Sequence, residues 1–483
     1  MKRFFILLFV LLLCLPCLAA CNIVLIDIPD NIGNNTPEES TNDTLSELES
    51  EAESTMEIVN YDGSEVTITF YHSMGAALQE ILSDAIADFN KIYPNITVVH
   101  KSLGDYDGVR DQIKTEISDG NQPNLAYCYS DHVALYNLAG AVQTLDIFIN
   151  DPTYGYTAEQ IADFIPGFYE EGRVFGDDKM YTLPISKSTE VLYYNATFFE
   201  ENNLEVPTTW EEMKEVCRKI KEIDPYCIPL GYDSESNWFI NMCAQYSSPY
   251  TSATGENFLF DNETNRAFVK EFRTWFENKW VTTQNIYGGY TSDLFTGGYG
   301  YVKTRCYMCI ASTGGATYQQ PNKFNGDYEF EVGIASIPQV NPEQPKIISQ
   351  GPSVCIFKKD DPQEVTATWL FAKFLTTNVD FQAAVSMNNG YAPVIQSVKE
   401  HPVYAEFLAS ASTANIQAYA VKVALDQADA YYSSPAFNGS SVARKQVGLI
   451  IQKCFTAEAK DVDAMIQNAF EDAVAECKSQ SSK

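Results

Sequence analysis

Apolar residues recur in two alternating patterns after residue 61. Val66 to Tyr71 is a β-branched and aromatic run that predicts a buried strand. The next apolar residues are spaced three and four apart, which predicts one amphipathic helix that Pro94 ends. They are Leu78, Ile81, Leu82, Ala85, Ile86 and Phe89. The pattern repeats with a strand over 96–99, a helical stripe over 109–117 and a strand over 125–128. Strands alternating with helices predict an α/β fold with a mostly parallel sheet.

Two further helices are predicted from their start signals. Thr209 and Glu212 have the spacing of a capping box, in which the threonine hydroxyl accepts from the third helical amide and the glutamate reaches back. An apolar stripe follows, made by Trp210, Met213, Val216, Cys217 and Ile220. Pro362 starts another helical stretch, because proline is favoured in a first helical turn.

The first residues have the pattern of an export signal. Lys2 and Arg3 precede an apolar run from Phe4 to Leu18, which is too short for a membrane span of about 20 residues. The run ends in Leu18-Ala19-Ala20-Cys21, which resembles the bacterial lipobox, in which the cysteine is lipidated. We therefore predict a signal peptide over 1–20 and a lipid anchor on Cys21. Ordinary secretory cleavage beside a chance cysteine is the alternative.

Charge divides unevenly along the 483 residues, whose net charge is -32. Residues 22–60 hold ten acidic and no basic side chains, and this polar composition predicts a flexible tether over 21–60 that begins with the lipidated cysteine. Without these ten acids and the two basic residues of the signal, 30 positive and 54 negative groups remain from residue 61 on, a net charge of -24. So acidic a body excludes nucleic acid as a partner, because phosphates are neutralised by clustered Lys and Arg.

The common catalytic and metal-binding motifs are absent. The chain has no G-x-S-x-G elbow, H-E-x-x-H helix or phosphate loop, and its four His are dispersed. Cys306 and Cys309 form a CxxC pair without a second pair, which we interpret as structural or incidental. Nine Cys remain after the signal and Cys21, an odd number that cannot all pair internally. We predict no cofactor and no metal.

Tyrosine is abundant, with 29 residues. Aromatic rings combined with amides, hydroxyls and carboxylates suit the recognition of polyols. A cell-surface glycoside hydrolase stays open at this point, because any two carboxylates of so acidic a chain can lie the required ~5 to 10 Å apart. A non-catalytic adhesin lipoprotein is a third hypothesis.

Several stretches resemble the bacterial extracellular solute-binding proteins of ABC importers, the family that includes maltose- and glycerol-3-phosphate-binding proteins. They are Tyr181-Thr182-Leu183-Pro184, Val191-Leu192-Tyr193-Tyr194-Asn195, Val206-Pro207-Thr208-Thr209-Trp210-Glu211-Glu212 and Asn389-Gly390-Tyr391-Ala392-Pro393. The resemblance implies a non-catalytic, monomeric receptor that is lipid-anchored to the outer face of the bacterial cell membrane. It would capture a sugar, an oligosaccharide or a glycerol-phosphate-like polyol and deliver it to the permease subunits of the importer.

The family's glycerol-3-phosphate-binding group is the most similar one. The shared stretches are Phe70-Tyr71-His72-Ser73-Met74, Gly104-Asp105-Tyr106 and Ser186-Lys187-Ser188-Thr189. This resemblance implies ligand contacts at Tyr106, Ser188, Ser312, Gly351 and Tyr391.

Two departures from the group bear on the ligand. Where the group has a ligand-facing Glu, this chain has Ser130 beside Asp131, which we also take as a hydroxyl acceptor. Where the group has a phosphate-binding Arg, this chain has about Ala436 and Phe437, so glycerol phosphate itself is disfavoured. Lys187 and Arg305 are the candidate substitutes for that anion anchor.

Two more residues join the predicted ligand site. Trp238 would be a stacking platform, and His72, near a predicted helix start, would donate to a ligand oxygen.

The family fold implies two α/β lobes that are joined by crossover strands, with a periplasmic-binding-protein-like ligand cleft between them. By this resemblance, lobe 1 is 61–186 plus 337–376 and lobe 2 is 187–336 plus 389–483. Residues 377–388 would form a hinge or interlobe segment.

Overall fold

The computed structural model describes residues 58–297 and 304–481. The predicted signal peptide, Cys21 and the tether up to residue 57 lie outside these residues.

In the described part, five strands form one sheet: β1 (Val66–His72), β2 (Ile96–Ser102), β3 (Leu125–Cys128), β4 (Leu183–Pro184) and β13 (Ser353–Ile356). Seven strands form a second sheet: β5 (Ser188–Asn195), β6 (Leu230–Tyr232), β7 (Val281–Thr283), β8 (Met308–Ser312), β11 (Val332–Ser336), β12 (Ile347–Gln350) and β14 (Tyr431–Tyr432). The strands β9 (Lys323–Phe324) and β10 (Asp327–Tyr328) make a separate hairpin.

Helices surround both sheets. In chain order they are α1 (Ala76–Ile92), α2 (Tyr106–Ile117), α3 (Ser130–Asn137), α4 (Asp146–Ile149), α5 (Ala158–Asp163), α6 (Pro166–Tyr169), α7 (Ala196–Glu201), α8 (Trp210–Ile223), α9 (Glu235–Gln245), α10 (Glu263–Glu277), α11 (Gln284–Tyr287), α12 (Ser292–Phe295), α13 (Pro362–Thr377), α14 (Val379–Asn389), α15 (Pro402–Ala409), α16 (Ile416–Asp426), α17 (Ser440–Thr456) and α18 (Val462–Ser481). We call the part built on the five-stranded sheet lobe 1 and the part built on the seven-stranded sheet lobe 2. No helix within the described ranges is long and apolar enough to cross a bilayer.

The elements predicted from periodicity are confirmed. The chain forms β1, α1, β2, α2 and β3 in the expected order, and β1 is parallel to both β2 and β3. The capping box of α8 is present, because the Thr209 hydroxyl accepts from the Glu212 amide and the Glu212 carboxylate accepts from the Thr209 amide. Pro362 lies in the first turn of α13, as expected.

Beyond β3 the expectation of a mostly parallel sheet is confirmed only for some strand pairs: β6 is parallel to β7 and β8, and β12 is parallel to β14. Strand β13 is antiparallel to β3 and β4, and β5 is antiparallel to β8, β11 and β12. The reason is that β13 enters lobe 1 directly from lobe 2, so it runs opposite to the strands that follow one another through helical crossovers.

One crossing of the chain between the sheets lies at the predicted boundary between residues 186 and 187, and another lies away from the predicted boundary at residue 337. It leaves β4 for β5 through residues 185–187, and it returns from β12 to β13 at Gly351 and Pro352. Residues 347–350 therefore pair in lobe 2, although 337–376 was expected in lobe 1. The predicted hinge at 377–388 is mostly helix α14, which packs against α1. Helix α14 also contacts α16 and the 3-10 turn at Thr313–Gln319, which pack on strands of lobe 2. It therefore touches both lobes, with a helical backbone in place of an extended crossover.

Aromatic rings fill the core of each lobe. In lobe 1, Phe371 of α13 packs edge-on against Phe70 and Phe89, with ring centroids 6.3 and 5.1 Å away. In lobe 2, the Trp238 ring stacks on Tyr232 at 4.9 Å and contacts Phe272 at 4.2 Å. These packed rings hold the helices at fixed positions on the two sheets.

A buried polar network lies inside lobe 2. Glu190 of β5 is 1% exposed, and its carboxylate accepts from the Tyr232 hydroxyl at 2.6 Å and from the side-chain amides of Asn237 at 2.9 Å and Asn241 at 2.8 Å. Burial raises the pKa of Glu190 to about 7, and these hydrogen bonds and the charge of Arg444 lower it only in part.

The raised pKa of Glu190 predicts a stability that depends on pH. Between about pH 4.5 and pH 7 the folded protein keeps a proton that the unfolded chain releases. The contribution of Glu190 to stability is therefore complete below this window and is lost as the pH rises through it. We expect the difference in free energy of unfolding between wild type and the Glu190→Gln variant to fall across the window in denaturant titrations. A difference that stays constant from pH 4 to pH 8 would contradict the assignment.

Candidate ligand-binding site

A cavity of about 340 Å³ lies where the two lobes meet. Lobe 1 contributes the first turns of α2 and α3 and the 3-10 turn at Glu170–Arg173. Lobe 2 contributes the end of β12, Ile240 of α9, the segment 433–436 and the first turns of α17. A molecule in the cavity therefore touches both lobes. Its lining residues are Tyr106, Asp107, Arg110, Tyr129, Ser130, Asp131, His132, Glu171, Ile240, Tyr250, Ile348, Ser349, Gln350, Gly351, Ser433, Ser434, Pro435, Ala436, Ser440, Ser441 and Arg444.

Tyrosine rings form one wall. The ring of Tyr106 stacks on Tyr127 with centroids 6.0 Å apart and lies tilted against Tyr129 at 4.5 Å. Burial raises the pKa of Tyr106 and of Tyr129, so both hydroxyls stay protonated and can donate to a ligand oxygen. Ring faces beside hydroxyl donors suit the alternating C–H and O–H groups of a polyol.

A carboxylate with weakly bound serines lies at the centre of the cavity. Glu171 accepts from the hydroxyls of Ser130 at 3.3 Å, Ser349 at 3.3 Å and Ser433 at 3.1 Å. These bonds are longer than the ~2.7 to 2.8 Å that is usual between hydroxyl and carboxylate oxygens. Lys187 neutralises the same carboxylate, with Nζ 2.8 Å from Oε1. Glu171 can therefore accept from a ligand hydroxyl in exchange for a serine.

Positive charge is distributed unequally around the cavity. Arg110 is paired with Asp107 and Asp111. Arg444 has no ion pair among residues 58–297 and 304–481, and its guanidinium donates to the side-chain oxygen of Asn237. Burial lowers the pKa of His132, which leaves its imidazole neutral beside Asp131. Arg444 is thus the lining cation that no carboxylate of the described residues approaches within ion-pairing distance, although its charge acts on Glu190 behind Asn237.

Four of the predicted ligand residues line the cavity: Tyr106, Ser130, Asp131 and Gly351. Gly351 has φ +93°, and a Cβ there would lie 2.7 Å from the carbonyl oxygen of Ser186. Only glycine permits this close approach of the two crossing segments beside the cavity.

Three predicted residues do not line the cavity, although two of them contact residues that do. Tyr391 packs on Gly314, where a Cβ would be 3.2 Å from the Tyr391 ring, and its hydroxyl interacts with Tyr106. Ser188 is buried and pairs with Gln350 between β5 and β12. The Ser312 hydroxyl accepts from the Gly314 amide. Their ligand contacts stay predictions from the family resemblance.

The predictions for Trp238 and His72 are wrong in this structure. Trp238 is 0% exposed, because the rings of the lobe 2 core cover it. His72 is also 0% exposed, and its imidazole bonds to His100 and to the Met74 amide. Neither side chain has a free surface to offer a ligand.

The two proposed anion anchors do not serve that purpose. Lys187 is completely buried and bound to Glu171. Arg305 pairs with Glu329 and does not line the cavity. The lining cation without an ion pair in the described residues is Arg444, which lies seven residues beyond the predicted anchor position at 436–437. Ser440 and Arg444 are four residues apart on one face of α17, and this spacing was the available signal.

The predicted structural role of the CxxC pair agrees with its surroundings. Cys306 and Cys309 are buried, and burial raises the pKa of both thiols. The nine cysteines of the described part are free thiols. That part also holds no cluster of three or more metal-ligating side chains.

Comparisons with known proteins identify the family of the chain. The family model of the bacterial extracellular solute-binding proteins matches residues 84–411. The sn-glycerol-3-phosphate-binding periplasmic protein UgpB of Salmonella typhimurium is 24% identical over 361 residues, which cover 69% of this chain and 75% of that protein. The maltotriose-binding protein of Pyrococcus abyssi is 22% identical over 343 residues, which cover 69% of this chain and 68% of that protein.

Two solved structures have the same two-lobed fold. The sugar-binding protein MalE of Xanthomonas citri aligns with a TM-score of 0.68 and 17% identity, over 86% of this chain and 98% of that chain. UgpB of Mycobacterium tuberculosis in complex with glycerophosphocholine aligns with a TM-score of 0.66 and 17% identity, over 86% of this chain and 99% of that chain. With the family model spanning more than half of its length, the chain belongs to the bacterial extracellular solute-binding proteins.

Proposed function

We propose that this protein is the lipid-anchored receptor of an ABC importer and that it binds a polyol in the cavity between its lobes without converting it. The observation that carries the proposal is the lining of the cavity: tyrosine rings, the Glu171 carboxylate with its serines, and Arg444 without an ion pair. The relatives named for glycerol 3-phosphate and maltotriose support the class of ligand.

The size and charge of the cavity favour a small anionic polyol. A volume of about 340 Å³ lies near the lower end of the ~300 to 1,000 Å³ that is typical of ligand pockets. It therefore suits a glycerol-phosphate-like compound better than a long oligosaccharide. Arg444 supplies a bidentate donor for two phosphate oxygens, a role that Ala436 and Phe437 cannot fill. The tyrosine wall keeps a short neutral sugar as the second candidate.

Contacts to both lobes explain how the receptor would signal its loaded state. A ligand held by Tyr106 and Glu171 on one side and by Arg444 on the other stabilises the arrangement in which these groups are close. The permease subunits would recognise that arrangement. The division into lobes at the crossings 185–187 and 351–352 is part of this proposal.

The ligand class is tested by calorimetric titration of the purified protein with sn-glycerol 3-phosphate, glycerophosphocholine and maltotriose. We expect one of the glycerophosphates to bind, and the Arg444→Ala variant to weaken its binding by about 10- to 100-fold, the equivalent of the ~1.5 to 3 kcal/mol of hydrogen bonds to charged groups. Lys445→Ala is the matched control, because this neighbouring cation is exposed and does not line the cavity. Binding of no member of the panel, or turnover of one, would count against the proposal.

The lipid anchor is tested with Cys21→Ser. We expect this variant to lose membrane association and labelling by a fatty-acid probe, because the acyl chains on Cys21 supply the membrane affinity. Cys17→Ser, four residues earlier in the predicted signal, should keep both. If Cys21→Ser stays at the membrane and is still labelled, Cys21 is not the anchor.

A further inference from the structure

Arg444 needs a fixed direction to be useful as a ligand-binding group. An arginine side chain loses rotamer entropy when it is held in one place. In the described residues, one side-chain bond holds its guanidinium: the donation to Oδ1 of Asn237 on α9. The acceptor is a neutral amide oxygen, so the arginine is directed without losing its charge.

The orientation of Asn237 is itself determined. Asn237 is 4% exposed, and its Nδ2 donates to Oε1 of Glu190 at 2.9 Å. Above about pH 7, where Glu190 is ionised, its oxygens only accept, so the amide nitrogen of Asn237 faces Glu190. The amide oxygen of Asn237 is then left for Arg444.

Glu190 holds the Asn237 side chain from a fixed position. Its other oxygen, Oε2, accepts from the Tyr232 hydroxyl at 2.6 Å and from the Asn241 amide at 2.8 Å. Glu190 lies on β5, which has β8 on one side and β11 and β12 on the other. A carboxylate held on both oxygens within the middle of a sheet has little freedom to move.

Close packing of two helices brings the arginine to the asparagine. Gly448 lies one turn after Arg444 on α17, and a Cβ at Gly448 would be 2.6 Å from the Ser236 hydroxyl of α9. The absence of that Cβ lets α17 approach the first turn of α9, where Asn237 lies. Arg444 and Gly448 are on the same face of α17, because four residues make about one helical turn.

We propose that Asn237, oriented by Glu190, is a positioning residue that holds the Arg444 guanidinium in the cavity and so sets the preference of the site for an anionic ligand group. The inference deepens the proposed function, on which its ligand rests. It adds two buried side chains, neither of which lines the cavity, to the determinants of ligand choice.

The positioning role is tested first without any ligand, by crystal structures of the full chain carrying Asn237→Ala and Asn237→Asp. We expect the guanidinium of Arg444 to leave its place, or to lose its density, in Asn237→Ala. In Asn237→Asp a carboxylate oxygen replaces the amide oxygen and should hold it. An Arg444 that stays within about 1 Å of its position in Asn237→Ala would overturn the proposal. Asn237→Asp keeps the size of the side chain, and below about pH 7 the protonated Glu190 can donate to the oxygen that replaces the amide nitrogen. Crystals grown at such a pH provide a structure even where the alanine variant does not fold.

The effect on binding is tested by a double-mutant cycle with sn-glycerol 3-phosphate as the probe. Asn237→Ala should weaken binding by about ten-fold in the wild-type background and by less than two-fold in the Arg444→Ala background, since it acts through that arginine. Equal losses in both backgrounds would overturn the proposal. Asn265→Ala removes another buried asparagine of lobe 2, which bonds to the carbonyls of Pro249 and Phe260, and controls for general loosening of the lobe.

The failures of the two proposals are distinguishable. If the wild-type protein binds none of the probes while Asn237→Ala still displaces Arg444, the positioning role stands and the proposed function is wrong. If the probes bind but Arg444 does not move, the function stands and the positioning role is wrong.

Discussion

The buried side chain of Lys187 joins the segments on which the whole arrangement of the lobes depends. Its Nζ donates to Glu171 at 2.8 Å, to the Gly351 carbonyl at 3.1 Å and to the Ser353 hydroxyl at 2.9 Å, which uses all three donors of an ammonium group. Its backbone exchanges two hydrogen bonds with Ala392, in the segment after α14. One residue thus ties two crossings between the sheets to the segment at Ala392 and to the carboxylate at the centre of the cavity. Burying such an ion pair costs several kcal/mol per ion, so its benefit lies in the geometry that it fixes.

The neutralisation of Glu171 by Lys187 helps to explain how a strongly acidic protein can contain a site that favours an anion. The net charge of -24 from residue 61 on is spread over a surface that salt screens beyond roughly 8 Å. Around the cavity, Lys187 offsets Glu171, and Asp107 and Asp111 together pair with Arg110. Arg444 is left as the cation for an anionic group of a ligand, and Asp131, beside a neutral His132, is left as an acceptor for ligand hydroxyls. The placement of a few side chains therefore decides the local potential, and the overall charge does not.

Sequence periodicity predicted the local elements well, because they depend on neighbours along the chain. The capping box at Thr209 and Glu212 and the run of strands and helices from β1 to β3 are examples. Strand direction after β3 was not predictable in this way, since it depends on which lobe a strand enters.

The candidate site was predicted only where family resemblance or adjacency pointed to it. Tyr106 and Gly351 came from the resemblance, and Asp131 from its place beside Ser130. The prediction for Trp238 was wrong because helical spacing does not tell which face of α9 meets the core. The core face carries Trp238, whereas the side chain of the preceding residue, Asn237, reaches Arg444. Glu171 and Arg444 were missed because they come from distant segments, 171 and 444, that only the fold brings together.

The most direct test is a crystal structure of the protein with whichever of sn-glycerol 3-phosphate, glycerophosphocholine and maltotriose binds to it. The account predicts electron density in the cavity, in contact with Tyr106 and Glu171 from lobe 1 and with Arg444 from lobe 2. A ligand bound elsewhere, or held by residues of one lobe alone, would contradict it.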